Sequence, residues 1–100
     1  MVKHVILWTL KDELSGQEAE KIKADIKREL EGLIGKIPGL IEMHIITEAL
    51  SSSNAELMLD STFEDAASLK SYTIHPEHVA VANVYVRPYT STRTCMDYEL

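Results

Sequence analysis

The chain has 100 residues, 45% hydrophobic and 26% charged, with a formal net charge of −6 at pH 7. That makes one domain, residues 1–100, able to bury about two thirds of its unfolded surface, and it excludes a disordered or collagen-like chain. The acidic balance argues against nucleic acid, the lone Cys95 excludes an internal disulfide and fits a reducing compartment, and no run reaches the about 20 apolar residues of a membrane span.

Val2 to Leu10 reads as a strand, β-branched and aromatic and too short for a buried helix. His4, Ile6, Trp8 and Leu10 fall on one face and Lys3, Val5, Leu7 and Thr9 on the other. No apolar secretory core precedes it, so a cytoplasmic protein is expected. Ser15-Gly16-Gln17-Glu18 has the form of a capping box. Behind it Ala19, Ile22, Ile26, Leu30, Leu33, Ile34 and Ile37 recur at helical spacing, which predicts an amphipathic helix over 16–36, stopped by Pro38-Gly39.

A second strand is predicted over 40–49, with Ile41, Met43 and Ile45 alternating against Leu40, Glu42, His44 and Ile46. Residues 50–54 form a short connection to a third strand over 55–63, with Leu57, Leu59, Ser61 and Phe63 on one side. Glu64-Asp65 suits the start of a second helix, where acidic groups meet the positive end of the dipole. His78 to about Pro88 begins as a helical turn and ends irregularly. Residues 90–100 close the chain as a fourth strand, with Arg93, Cys95 and Asp97 on one side and Thr94, Met96 and Tyr98 on the other.

The order β-α-β-β-α-β is the ferredoxin-like α+β arrangement: a four-stranded antiparallel sheet with helices on one face. Val5, Leu7, Ile41, Met43 and Ile45 are expected to make the other face apolar. A bare apolar face of that size implies a partner, and a second copy related by a two-fold axis is the simplest, giving a homodimer through the sheet faces.

The densest chemistry lies in Tyr72-Thr73-Ile74-His75-Pro76-Glu77-His78. The residue before a proline is pushed out of the α region, so His75 should end the helix that carries Tyr72. Pro76 then suits the first position of a new helix through His78. Such a bend can turn Tyr72 and His78 towards one cavity; the plainer alternative is a polar corner whose histidines cap helix ends. Neither a metal nor a cofactor is expected. Pro76 interrupts the helix that would align His75 and His78, a lone strand cysteine is usually a small buried hydrophobe, and the four glycines form no phosphate-binding loop. Acid–base work fits better: His78 could act as base, with Asp97 on the closing strand setting its tautomer and Tyr72 donating to an oxygen that gains charge.

The chain resembles the stress-responsive A/B barrel (Dabb) family over essentially its whole length. The resemblance rests on Val2-Lys3-His4 before a hydrophobic strand, Phe63 at a strand end, His75-Pro76-x-His78-Val79, and Asp97-Tyr98. It implies a ferredoxin-like unit pairing sheet to sheet into a dimeric α+β barrel. In one plant member, an aldol cyclase, a histidine is the base, an aspartate on the last strand orients it and a tyrosine binds the substrate. The matching positions here are His78, Asp97 and Tyr72, and His4 matches a histidine lining that cavity. A further tyrosine on the first helix of that enzyme aligns with about Ile26, and this first helix carries no aromatic residue. The expected pocket wall is His4, Ile6, Trp8, Ile26, Leu59 and His75, and the expected role is binding a small organic molecule there. The alternatives are a cyclase-like lyase and a purely structural oligomer.

Overall fold

β1 (Val2–Leu10) lies inside the sheet, paired antiparallel with a strand on each side. The computed structural model describes residues 1–100, and β1 is followed by α1 (Gly16–Glu31), β2 (Leu40–Ile46), β3 (Leu57–Phe63), α2 (Ala66–Ile74), α3 (Pro76–Val81), a π-helical turn (Ala82–Val86) and β4 (Thr90–Glu99). The sheet order is β2-β3-β1-β4, all neighbours antiparallel, which is the ferredoxin-like α+β arrangement. The period-two alternation of β1 holds throughout: Val2, His4, Ile6, Trp8 and Leu10 are buried under the helices. The four apolar ones join Ile22, Ile26 and Leu30 of α1, Leu57, Leu59 and Phe63 of β3, and Leu69 and Tyr72 of α2 in one core.

The proline corner folds as its residues require. His75 is extended (φ −66°, ψ 132°), ends α2, and hands over to Pro76 at the first position of α3. Asp65 caps α2, its Oδ1 accepting from the Ser68 N–H at 2.7 Å. The irregular stretch expected before Pro88 is the π-helical turn, in which the Arg87 N–H donates to the Ala82 carbonyl at 2.8 Å. Such widened turns occur often beside functional sites.

Besides a β2 that stops at Ile46 rather than at residue 49 and a β3 that starts at Leu57 rather than at residue 55, the chain departs from the sequence reading in three places. The capping box does not form: Gly16 has φ +59°, so the Ser15 side chain makes no cap hydrogen bond. The first helix ends at Glu31 rather than at residue 36, because the Gly32–Lys36 segment turns through Gly35 at φ +84°. Leu33 and Ile37 stay buried beyond the helix, which is why the apolar spacing runs past its end.

The third departure concerns the outer face of the sheet. Met43 and Ile45 are 3% and 1% exposed and belong to the helix-covered core, not to the bare face. A register irregularity between Leu40 and Glu42 puts Leu40, Met43 and Ile45 on the same side. The open face instead presents Leu7, Ile46, Met96 and Tyr98, all exposed, with Val5 partly covered. Lys3 and Asp60 interrupt it with an ion pair at 2.6 Å. At the β2 edge, Glu31 accepts from the Ile45 N–H at 2.9 Å and Lys27 donates to the Ile45 carbonyl at 3.0 Å, so part of α1's charged face covers a strand edge. No helix is long and apolar enough to cross a membrane.

Candidate functional site

Between the helices and the sheet lies a cavity of about 420 Å³. Its floor is the inner face of β1, with His4, Ile6 and Trp8, beside Leu59 of β3. Its roof is the corner, with Tyr72, Thr73 and His78, and the π-helical turn, with Ala82 and Val86. Leu30, Arg87, Thr90 and Arg93 complete the wall. The floor follows from strand alternation, the roof from the bend at Pro76.

Tyr72 is the centre of an aromatic cluster. Its ring lies 4.1 Å from that of His78 and 4.9 Å from Phe63, and the His4 ring meets it edge-on at 6.0 Å. The residue is 1% exposed, and its hydroxyl has no hydrogen-bond partner. Burial pushes the phenol pKa above its ordinary value, against a smaller downward pull from Arg93. The group therefore stays protonated at neutral pH and can donate.

His78 is oriented by the backbone rather than by a carboxylate. Its Nδ1 lies 3.3 Å from the Thr73 carbonyl, which can only accept, so Nδ1 carries the hydrogen and Nε2 the lone pair. Burial holds its pKa below the ordinary imidazole value, against the raising effect of that same hydrogen bond. A neutral imidazole with a free Nε2 is the form a general base requires.

Asp97 therefore has a different partner from the one expected. Its Oδ1 sits 2.5 Å from Nδ1 of His4, directly opposite on the β1–β4 ladder. The closing strand does bring its carboxylate to the site, but the strand register gives it to His4. Two imidazoles thus meet at Tyr72, one held by a carboxylate and one by a peptide carbonyl.

Of the expected wall, His4, Ile6, Trp8 and Leu59 line the cavity, and Ile26 and His75 do not. Ile26 is fully enclosed in the core. His75 serves as the plainer reading had it, its Nδ1 accepting from the Glu77 N–H at 3.1 Å to cap α3. Cys95 is exposed rather than buried, on β4 beside His4 and Asp97. Partial desolvation of the thiol within this exposed residue, with the Asp97 carboxylate adding to it, raises its pKa away from a reactive thiolate. His4, Cys95 and Asp97 together place three donor atoms within 4.8 Å of one another.

Arg87 and Arg93 are the charged wall residues that the sequence reading passed over, along with Leu30, Thr73, Ala82, Val86 and Thr90. Alternation along the last strand already put Arg93 on the side of Asp97, and that is the signal that leads to it. Nothing in residues 82–86 announces the π-helical turn that brings Arg87 round.

The chain is similar to olivetolic acid cyclase of Cannabis sativa, with 27% identity over 100 residues that cover 97% of this chain and 94% of the relative. Among solved structures it is similar to a dimeric protein of unknown function and ferredoxin-like fold from Bacteroides fragilis, with TM-score 0.91 and 28% identity over 99% of this chain and 95% of that one. Hydroxynitrile lyase from Passiflora edulis shares the fold, with TM-score 0.70 and 19% identity over 97% and 90% of the two chains. Residues 2–100 match the Stress responsive A/B Barrel Domain (Dabb), and the chain belongs to that family.

Proposed function

We propose that this Dabb protein is a cytoplasmic homodimer that binds a small organic molecule in the cavity between helices and sheet. The observation that carries the reading is the Tyr72 hydroxyl, buried at the cavity and unpartnered. A buried polar group left without a partner costs about 1–3 kcal/mol, and a ligand acceptor would remove that cost. Apolar Ile6, Trp8 and Leu59 beside a few polar groups are what a small-molecule pocket requires. The dimer is supported by the open face around Leu7, Met96 and Tyr98 and by the dimeric relative of similar fold. A cytoplasmic home is supported by the single unpaired cysteine.

The test is ligand-observed NMR with a panel of small aromatic and aliphatic molecules, on wild type and on Ala82→Phe. Ala82 is buried against the cavity, so a phenyl group there should fill it and abolish binding while sedimentation still reports a dimer. Binding that survives Ala82→Phe, or a wild type that binds nothing, overturns the reading and leaves a structural oligomer.

A second reading is favoured by the His78 tautomer. With Nε2 free and Tyr72 protonated, His78 could remove a proton α to a carbonyl while Tyr72 donates to the oxygen that gains charge. Similarity to olivetolic acid cyclase supports that chemistry. Here Asp97 would steady His4 rather than the base.

A further inference from the structure

The chain carries 16 acidic and 10 basic Lys and Arg residues, yet no Asp or Glu is among the cavity-lining residues, while two arginines are. The Asp97 carboxylate behind the wall is paired with His4. Arg93 stands opposite Trp8 on the inner face of β4, and Arg87 follows the π-helical turn. Neither takes part in any ion pair of the structure, although all four basic side chains of α1, Lys21, Lys23, Lys27 and Arg28, do. Arg87 donates only to the neutral Asn83 Oδ1. An acidic protein thus keeps two uncompensated guanidinium groups at one cavity, next to a buried phenol that lacks an acceptor.

We propose that the molecule bound there is an organic carboxylate, its anionic end held by Arg93 and Arg87 and its apolar body lying against Ile6, Trp8 and Leu59. The proposal rests on the reading of the cavity as a binding site and adds the class of ligand. A planar guanidinium fork matches a carboxylate in geometry and charge, and the hydrogen bond is shorter and stronger than one between neutral groups. The Tyr72 hydroxyl lies deeper, where it can donate to a carbonyl or hydroxyl oxygen on the body of the same molecule. Electrostatic attraction at the mouth offsets the repulsion that a net charge of −6 would otherwise present to an anion.

The test uses two matched pairs of probes, 2-naphthoate with 2-naphthamide and octanoate with octanamide, titrated calorimetrically into the wild-type protein. Each pair shares an apolar body and differs in charge. At least one acid should bind at least tenfold more tightly than its amide, with the preference shrinking as salt is raised. Arg93→Gln and Arg87→Gln should each reduce that preference at least threefold while leaving the dimer unchanged. Both side chains are exposed enough for the changes to be tolerated by the fold, which circular dichroism checks. An amide that binds as tightly as its acid overturns the carboxylate proposal and leaves the cavity reading standing. No binding by any of the four probes counts against both. An acid preference that both arginine variants retain places the anion elsewhere and overturns the assignment.

Discussion

Nδ1 of His4 and Oδ1 of Asp97 lie 2.5 Å apart across the β1–β4 ladder, one buried and the other on the exposed closing strand. The carboxylate can only accept, so the imidazole donates, and the pair ties the end of the chain to the floor of the cavity. Asp97→Ala should leave that buried N–H without its acceptor and cost about 1–3 kcal/mol in urea unfolding. Imidazole 15N shifts should change at His4 and stay constant at His78, whose Nδ1 bonds to the Thr73 carbonyl. A shift at His78 alone would return Asp97 to the role first expected of it.

Tyr72→Phe separates binding from packing. The hydroxyl makes no hydrogen bond within the chain, so its removal relieves a desolvated group and preserves the ring contacts with Phe63 and His78. Stability should stay level or rise by up to about 1 kcal/mol, while affinity for any ligand that uses the phenol falls about tenfold. A drop in stability measured by urea titration would show that the hydroxyl already has a partner in solution.

What the sequence disclosed follows the range of each physical rule. Local rules carried far: the clash that proline imposes on its predecessor gave the His75–Pro76 break, and period-two alternation gave both faces of β1 and β4. Rules that depend on one extra residue failed. An irregularity near Ile41 reverses the face of Met43 and Ile45, and neither residue type reveals it. Leu33 and Ile37 kept a helical spacing outside a helix because burial, not helicity, sets that pattern. Pairings between strands lay further out of reach. Topology brought Asp97 to the site, but the choice of His4 over His78 is fixed by register, which only the folded sheet defines.

The corrected faces make opposite predictions for two apolar residues. Leu7 lies on the open face, so Leu7→Lys should set a charge into the dimer interface and convert dimer to monomer in sedimentation at micromolar concentration, with the fold retained by circular dichroism. Met43 lies under the helices, so Met43→Ala should leave the dimer intact and cost about 2–5 kcal/mol of stability. Dissociation by the Met43 change without loss of stability would reverse the assignment of faces.

The depressed pKa of His78 couples folding to pH. The folded state holds the imidazole less protonated than the unfolded chain does, whose value is about 6.5, so the unfolded state binds more protons and stability increases with pH. The contribution is complete above the unfolded value and lost as pH falls through the lower folded one. His78→Gln should flatten the part of the melting temperature's decline below about pH 7 that this residue causes. Equal slopes in variant and wild type would mean that the ring is solvated.

The proton-transfer reading makes the sharpest demand on the same residue. A base with its lone pair on Nε2, beside a phenol that stays protonated, should exchange the hydrogens between the two carbonyls of a bound β-diketone with deuterium from solvent. With 2,4-pentanedione followed by NMR, wild-type protein should accelerate exchange beyond an equal concentration of free imidazole. His78→Ala should remove the acceleration, and Tyr72→Phe should reduce it about tenfold or more through loss of the donor to the enolate oxygen. Asp97→Asn should have a smaller effect than either, since its carboxylate holds His4 and the Thr73 carbonyl holds the base. If Asp97→Asn instead matched His78→Ala while the fold stayed intact, the base would be His4, the imidazole that the carboxylate does orient. If wild type gave no acceleration at all, the corner would be a binding wall and His78 one of its polar contacts.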